Sequence, residues 1–216
     1  MLKTARFASN NLSLLFFIVL LISSSFLINH PQIRSIVSKV LFTLVLLVAS
    51  NAIRNNGTRF LYFAIGIIAI RQISNFLIQN KYMDSLATIT SVIFFFVIVF
   101  QLIKHVARSK VVDREVILES INGYLLMGLS GSIIFALISR VQENAFVFAH
   151  TTNQRLSDYF YFGFITQTTI GYGDITPVSN LAKLLTITMG VSGQLYIAIL
   201  IAMLVGKHLS QHAKTD

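Results

Sequence analysis

The chain has 216 residues, 55% of them hydrophobic and only 12% charged, with no cysteine and no tryptophan. Soluble domains carry roughly 25% charged residues, so an ordinary water-soluble globule is excluded, and without cysteine there is neither a disulfide nor a thiolate metal site. The net charge of +9 could serve nucleic acid or an anionic surface, but the basic residues fall mainly between apolar runs, where membrane topology uses them, so no nucleic-acid role is expected.

A helix crosses a hydrocarbon core of roughly 30 Å with about 20 residues. Six stretches meet this demand: Asn11–Ile28, Ile36–Ser50, Phe60–Ile78, Ser85–Ile103, Val116–Ser139 and Leu181–Gly206. The first follows Lys3 and Arg6 like a signal peptide, but its apolar run is too long and lacks a small-residue cleavage site, so it is read as a retained span. The second is the weakest and could begin at Pro31, a residue suited to a first helical turn. With the N-terminus inside, the inner segments hold ten basic residues: Lys3, Arg6, Arg54, Arg59, Lys104, Arg108, Lys110, Arg114, Lys207 and Lys214. The outer side and helix margins hold six: Arg34, Lys39, Lys81, Arg140, Arg155 and Lys183. That bias has the sign expected for cytoplasmic termini.

Between the fifth and sixth spans, Ser157–Thr168 is apolar but too short to cross, with Ser157 a candidate cap for a helix opening at Asp158. Arg140–Leu156 before it is polar except for Ala145–Ala149 and reads as an outer turret. After it comes Thr168-Thr169-Ile170-Gly171-Tyr172-Gly173-Asp174, two glycines flanking a tyrosine, which no lipid-facing helix would need. Glycine opens backbone dihedrals closed to other residues and lets the main chain approach a bound group. Rings of main-chain carbonyls are what a filter for a dehydrated cation requires. Irregular backbone at membrane depth is tolerated only inside protein or along water, which implies a shared central pore.

This motif resembles the selectivity filter of the potassium channel superfamily. The resemblance implies four subunits around one axis, with the carbonyls of Thr169, Ile170, Gly171 and Tyr172 and the Thr169 hydroxyl replacing the water shell of K⁺. It implies that Ile170 and Tyr172 brace the filter from behind, that Asp174 anchors the mouth, and that Thr168 is a support. K⁺ is then the permeant ion, and no cofactor is expected. The run from Asp158 resembles a pore helix, departing from the common pattern at Tyr161 and Phe162, where adjacent tryptophans often stand. Ile165 takes the place where some bacterial members carry a glutamate, removing one polar restraint behind the filter.

Leu181–Gly206 resembles the inner helix of small bacterial potassium channels, with Gly193 at the hinge glycine and Gly190 one turn earlier. Glycine costs up to about 1 kcal/mol in a helix interior relative to alanine, and it also allows tight helix contact, so hinge and packing both remain open for Gly193. If Gly193 faces the cavity, Ile197 and Ile201 share its face as an apolar wall. Gln194 and Tyr196 are expected to touch neighbouring helices.

Six spans with a re-entrant segment resemble voltage-gated channels, yet Ser85–Ile103 contains no arginine, and moving each sensor charge is what makes opening voltage-dependent. Arg71, mid-way along the third span, is a candidate modulatory residue, with Gln72, Asn75 and Asp84 as candidate partners. Lys104–Glu119 mixes charges with valines and reads as an interfacial helix between two halves.

The expected layout is therefore a peripheral four-helix domain over 1–104, a cytoplasmic linker over 105–115, a pore domain over 116–206 and a short tail over 207–216. The expected function is passive, K⁺-selective conduction by a homotetramer in the cell membrane, without conventional voltage gating. Lipid, mechanical force or a regulatory subunit would then supply the gating signal. A pore subunit of a potassium transporter and a weakly selective cation channel are the alternatives. An enzyme is not expected: His30, His105, His150, His208 and His212 are spread along loops and interfaces without a catalytic cluster.

Overall fold

The computed structural model describes residues 2–51, 57–73, 81–109, 111–149 and 154–212. Arg71 sits on a described helix, but its side chain and those of Gln72, Asn75 and Asp84 lie outside the described residues, as do Ile78 and His150.

The chain is nearly all helical: α1 (Leu2–Leu27), α2 (Pro31–Asn51), α3 (Gly57–Ile73), α4 (Lys81–Arg108), α5 (Arg114–Val141), α6 (Leu156–Gln167) and α7 (Asn180–His212). Two short strands, β1 (Phe146–Phe148) and β2 (Ile175–Pro177), flank α6. Five of the helices, α1, α2, α4, α5 and α7, are long and apolar enough to cross a membrane. The described part of α3 runs 17 residues, or about 26 Å at 1.5 Å rise, and its apolar stretch covers Phe60–Ile70. The architecture is that of an all-α, multi-pass membrane protein.

α2 opens at Pro31, where a missing N–H costs nothing in a first turn. α5 opens on Asp113, whose carboxylate accepts from the Val116 N–H at 3.0 Å. The stretch expected as an interfacial helix is not a separate element. α4 runs on to Arg108, α5 starts at Arg114, and the described residues between them are non-helical. With so few residues between caps, no further helix fits.

α5 is the central helix, packed by α1, α4, α6 and α7. One core joins Leu14 and Ile18 of α1, Leu46 of α2, Phe94 and Phe95 of α4 and Leu126 of α5. Phe42 meets Phe95 edge-to-face with ring centroids 5.5 Å apart, a geometry worth about 0.5–1.5 kcal/mol beyond burial alone. A second core of Phe135, Phe146, Tyr159 and Phe162 binds α5 and α6 to β1. Asn122 of α5 donates to the Asn11 carbonyl of α1 at 2.8 Å, a buried polar tie.

The strands were not expected. β1 lies in the turret and pairs antiparallel with β2, with Phe148 opposite Ile175 and Phe146 opposite Pro177. The apolar island Ala145–Ala149 was the available signal: Ala145 and Phe146 are buried in the second core.

Candidate functional site

α6 is fixed at both ends. At its start, the Asp158 carboxylate accepts from the Arg155 N–H at 2.8 Å, so Arg155 occupies the cap position. Ser157, expected as the cap, lies inside the first turn instead, because Asp158 reaches back three residues. At its end, Thr168 donates both its N–H (2.9 Å) and its hydroxyl (2.7 Å) to the Phe164 carbonyl. The Thr168 side chain is thereby turned toward α6. Behind the helix end, Gln167 is fully buried and donates to the Tyr124 carbonyl of α5 at 2.9 Å, while Ile165 is buried beside it in the sequence.

Beyond Thr168 the backbone alternates in hand. Thr169 (φ 61°), Gly171 (φ 51°) and Gly173 (φ 80°) lie in the left-handed region, and Ile170 and Tyr172 between them do not. In a plain strand successive peptide groups point to opposite sides; alternating hand turns them toward the same side. The two glycines adopt these dihedrals without a Cβ penalty. Thr169 has a Cβ, and a left-handed conformation costs such a residue about 1–3 kcal/mol, so its surroundings must hold it. Its N–H donates to the Thr166 carbonyl at 3.1 Å, and Gln194 of α7 donates to its hydroxyl at 3.2 Å. The Gly171 N–H donates back to the Ile165 carbonyl at 3.2 Å.

Asp174 closes the loop with three contacts. Its carboxylate accepts from the Tyr161 hydroxyl at 2.7 Å and from the Ile175 N–H at 3.1 Å. Its carbonyl accepts from the Ala149 N–H at 2.9 Å, and β2, which begins at the next residue, pairs with β1. Donation to the carboxylate holds the proton on Tyr161, and its hydroxyl is pushed up to about 12 by that hydrogen bond first and desolvation second. The Tyr161 ring also stacks on Tyr172, centroids 6.4 Å apart and planes 5° from parallel. Ile170 stays 54% exposed in the single chain.

α7 runs past the loop. Gly193 is buried, and a Cβ there would stand 2.4 Å from the Gln167 carbonyl oxygen. Gly190 has room, its nearest atom 3.7 Å from such a Cβ. Tyr196 donates to the Ser120 carbonyl of α5 at 2.7 Å. Ile197 is half-buried and Ile201 exposed. Gln194 reaches the threonine of the loop rather than a neighbouring helix, a contact sequence reasoning missed. Two further ties were also missed. Lys207 of α7 donates to the Val106 and Ala107 carbonyls at the end of α4, and His105 of α4 hydrogen-bonds Glu119 of α5.

The family model described as "Ion channel" matches residues 123–207, which hold most of α5, all of α6, the loop and most of α7. The two-pore potassium channel 4 of Arabidopsis thaliana is 36% identical over 63 residues, covering 29% of this chain and 22% of that protein. Residues 123–207 are thus similar to an ion channel domain, and the chain spans about a fifth of the length of the potassium channel it resembles. The matched segment joins a short helix, a loop of alternating hand and a long apolar helix. Among the described residues no group of histidines or carboxylates could hold a metal ion.

Proposed function

We propose that four copies of this chain form a passive K⁺-selective channel in the cell membrane. The alternating hand of Thr169, Gly171 and Gly173 is the observation that carries this reading, since it lets the carbonyls of Thr169 to Tyr172 line one side of the loop. One copy cannot encircle an ion, so a closed ring of copies is a physical demand. The exposed apolar face of α7, with Ile187, Val191, Leu195 and Ile199 bare in the single chain, supports packing against neighbouring copies.

In this assembly six helices span, with α3 completing the count. α6 and the loop are re-entrant from the outer side, and both termini are cytoplasmic. The layout is a peripheral bundle over 1–104, a linker over 105–115, a pore over 116–206 and a tail over 207–216. The Thr169 hydroxyl and the carbonyls from Thr169 to Tyr172 ligate K⁺; Thr168, Ile165 and Asp174 hold the frame. Ile197 and Ile201 line the inner cavity, and Gly193 allows α7 to pass close to α6. No enzymatic turnover and no cofactor are involved. Without sensor arginines on α4, opening answers to something other than conventional voltage movement, with Arg71 as a modulatory residue.

Purified protein in planar bilayers under bi-ionic K⁺ and Na⁺ gradients tests the reading. Reversal near the K⁺ potential, without an energy source, is the expected result. Equal passage of Na⁺ would favour a weakly selective cation channel, and flux that needs an energy source would favour a transporter subunit.

A further inference from the structure

A cavity of about 310 Å³ lies between the peripheral bundle and the pore segment. It sits where α1 and α5 finish and α2 and α6 begin. Its size is at the lower end for small-molecule sites. Its lining divides by chemistry. Arg34 and Lys39 come from α2 and Arg140 from the end of α5. Hydroxyls of Ser35, Ser38, Thr88 and Ser157 line the cavity too, and among the described residues no acidic side chain does. Much of the rest of the lining is apolar: Leu21, Phe42, Ile133, Ala136 and Phe160.

Three cations and four hydroxyls lining one cavity, with no carboxylate among its described residues, fit a phosphate group. Arginine presents paired N–H donors to phosphate oxygens, and lysine acts on them as a point charge. A free inorganic anion would use the polar residues and leave the apolar ones idle. An amphiphile uses both. We propose that this cavity binds one anionic phospholipid, its phosphate held by Arg34, Lys39 and Arg140 and its first acyl carbons laid against Leu21, Phe42 and Ile133. Because Leu156, Ser157 and Phe160 of α6 help to line it, the lipid touches the helix that carries the conducting loop as well as the bundle around it.

The test is binding, and it reads out without any current. The purified full chain is delipidated in detergent, then titrated with dioctanoyl phosphatidylglycerol, dioctanoyl phosphatidylcholine and inorganic phosphate, with bound species counted by native mass spectrometry. Phosphatidylglycerol is expected to bind at least tenfold more tightly than phosphatidylcholine, with no retention of inorganic phosphate. The triple variant Arg34→Gln, Lys39→Gln, Arg140→Gln should lose that preference, while Lys183→Gln, outside the cavity, should keep it. Ser38→Trp, which fills the cavity without changing charge, should lower phosphatidylglycerol binding at least tenfold even if the triple variant does not assemble. Equal binding of both lipids, undiminished binding to Ser38→Trp, or inorganic phosphate binding as tightly as phosphatidylglycerol would overturn the proposal.

Discussion

Gly193 of α7 and Gln167 of α6 meet backbone to backbone: the space a Cβ would take at 193 is already within 2.4 Å of the Gln167 carbonyl oxygen. That carbonyl belongs to the last turn of α6, immediately before the loop. Gly193→Ala must therefore push two main chains apart, at a cost of about 1–3 kcal/mol. Gly190→Ala meets only ordinary contact and gains helix propensity. Thermal melts of the two purified variants should diverge, with Gly193→Ala lowered and Gly190→Ala equal to or above the parent. A pure hinge role for Gly193 would leave the two melts alike and change only opening.

Tyr161→Phe keeps the stack on Tyr172 but removes the hydroxyl that ties Asp174 to α6. With Ile165 apolar, the loop has no glutamate restraint behind it. The expected outcome is faster loss of current during sustained opening with unchanged reversal potential, measured in macroscopic recordings. Ile165→Glu should slow that loss. Identical time courses in parent and both variants would refute this role.

The same pair has a defined response to alkali. The Tyr161 hydroxyl is raised above its ordinary value of 10.0 to about 12, so its contribution is complete below pH 10 and fades as pH climbs through 12. The difference in melting temperature between the parent and Tyr161→Phe should therefore stay flat from pH 7 to 9.5.

Glu119 is almost fully buried on α5, with His105 of α4 as its hydrogen-bond partner. Removing the imidazole leaves a desolvated carboxylate, whereas Glu119→Gln removes the charge itself. His105→Ala should cost roughly 1.5–3 kcal/mol in a denaturation assay, and more than Glu119→Gln. In the double variant the two losses should fall short of their sum, since the groups share one contact.

Much of this molecule was legible before any coordinates. The apolar spans of the five long helices match the expected runs to within about five residues, because length and hydropathy are local properties, while α1 itself begins earlier, at Leu2, and α7 ends later, at His212. The loop at 168–174 was legible because its glycines answer a backbone requirement that few other patterns make. What escaped depends on partners far along the chain. The β1–β2 clasp joins residues on either side of α6, and the Gln194–Thr169 contact spans 25 positions. The Lys207 contacts with α4 span 101 and 100 positions. A lysine at a helix end reads as a topology signal, and nothing local says which carbonyls it meets. The close packing of Gly193 likewise depends on Gln167, 26 positions away in the chain.

Lys207 also bears on the order in which the protein is made. The last carbonyls of α4 are satisfied by a side chain synthesised about a hundred residues later. At translation rates of roughly 5–20 residues per second, that turn waits about 5–20 seconds for its partner. The end of α4 therefore gains its last tie only after α7 has been synthesised, so the two halves of the molecule are locked together late.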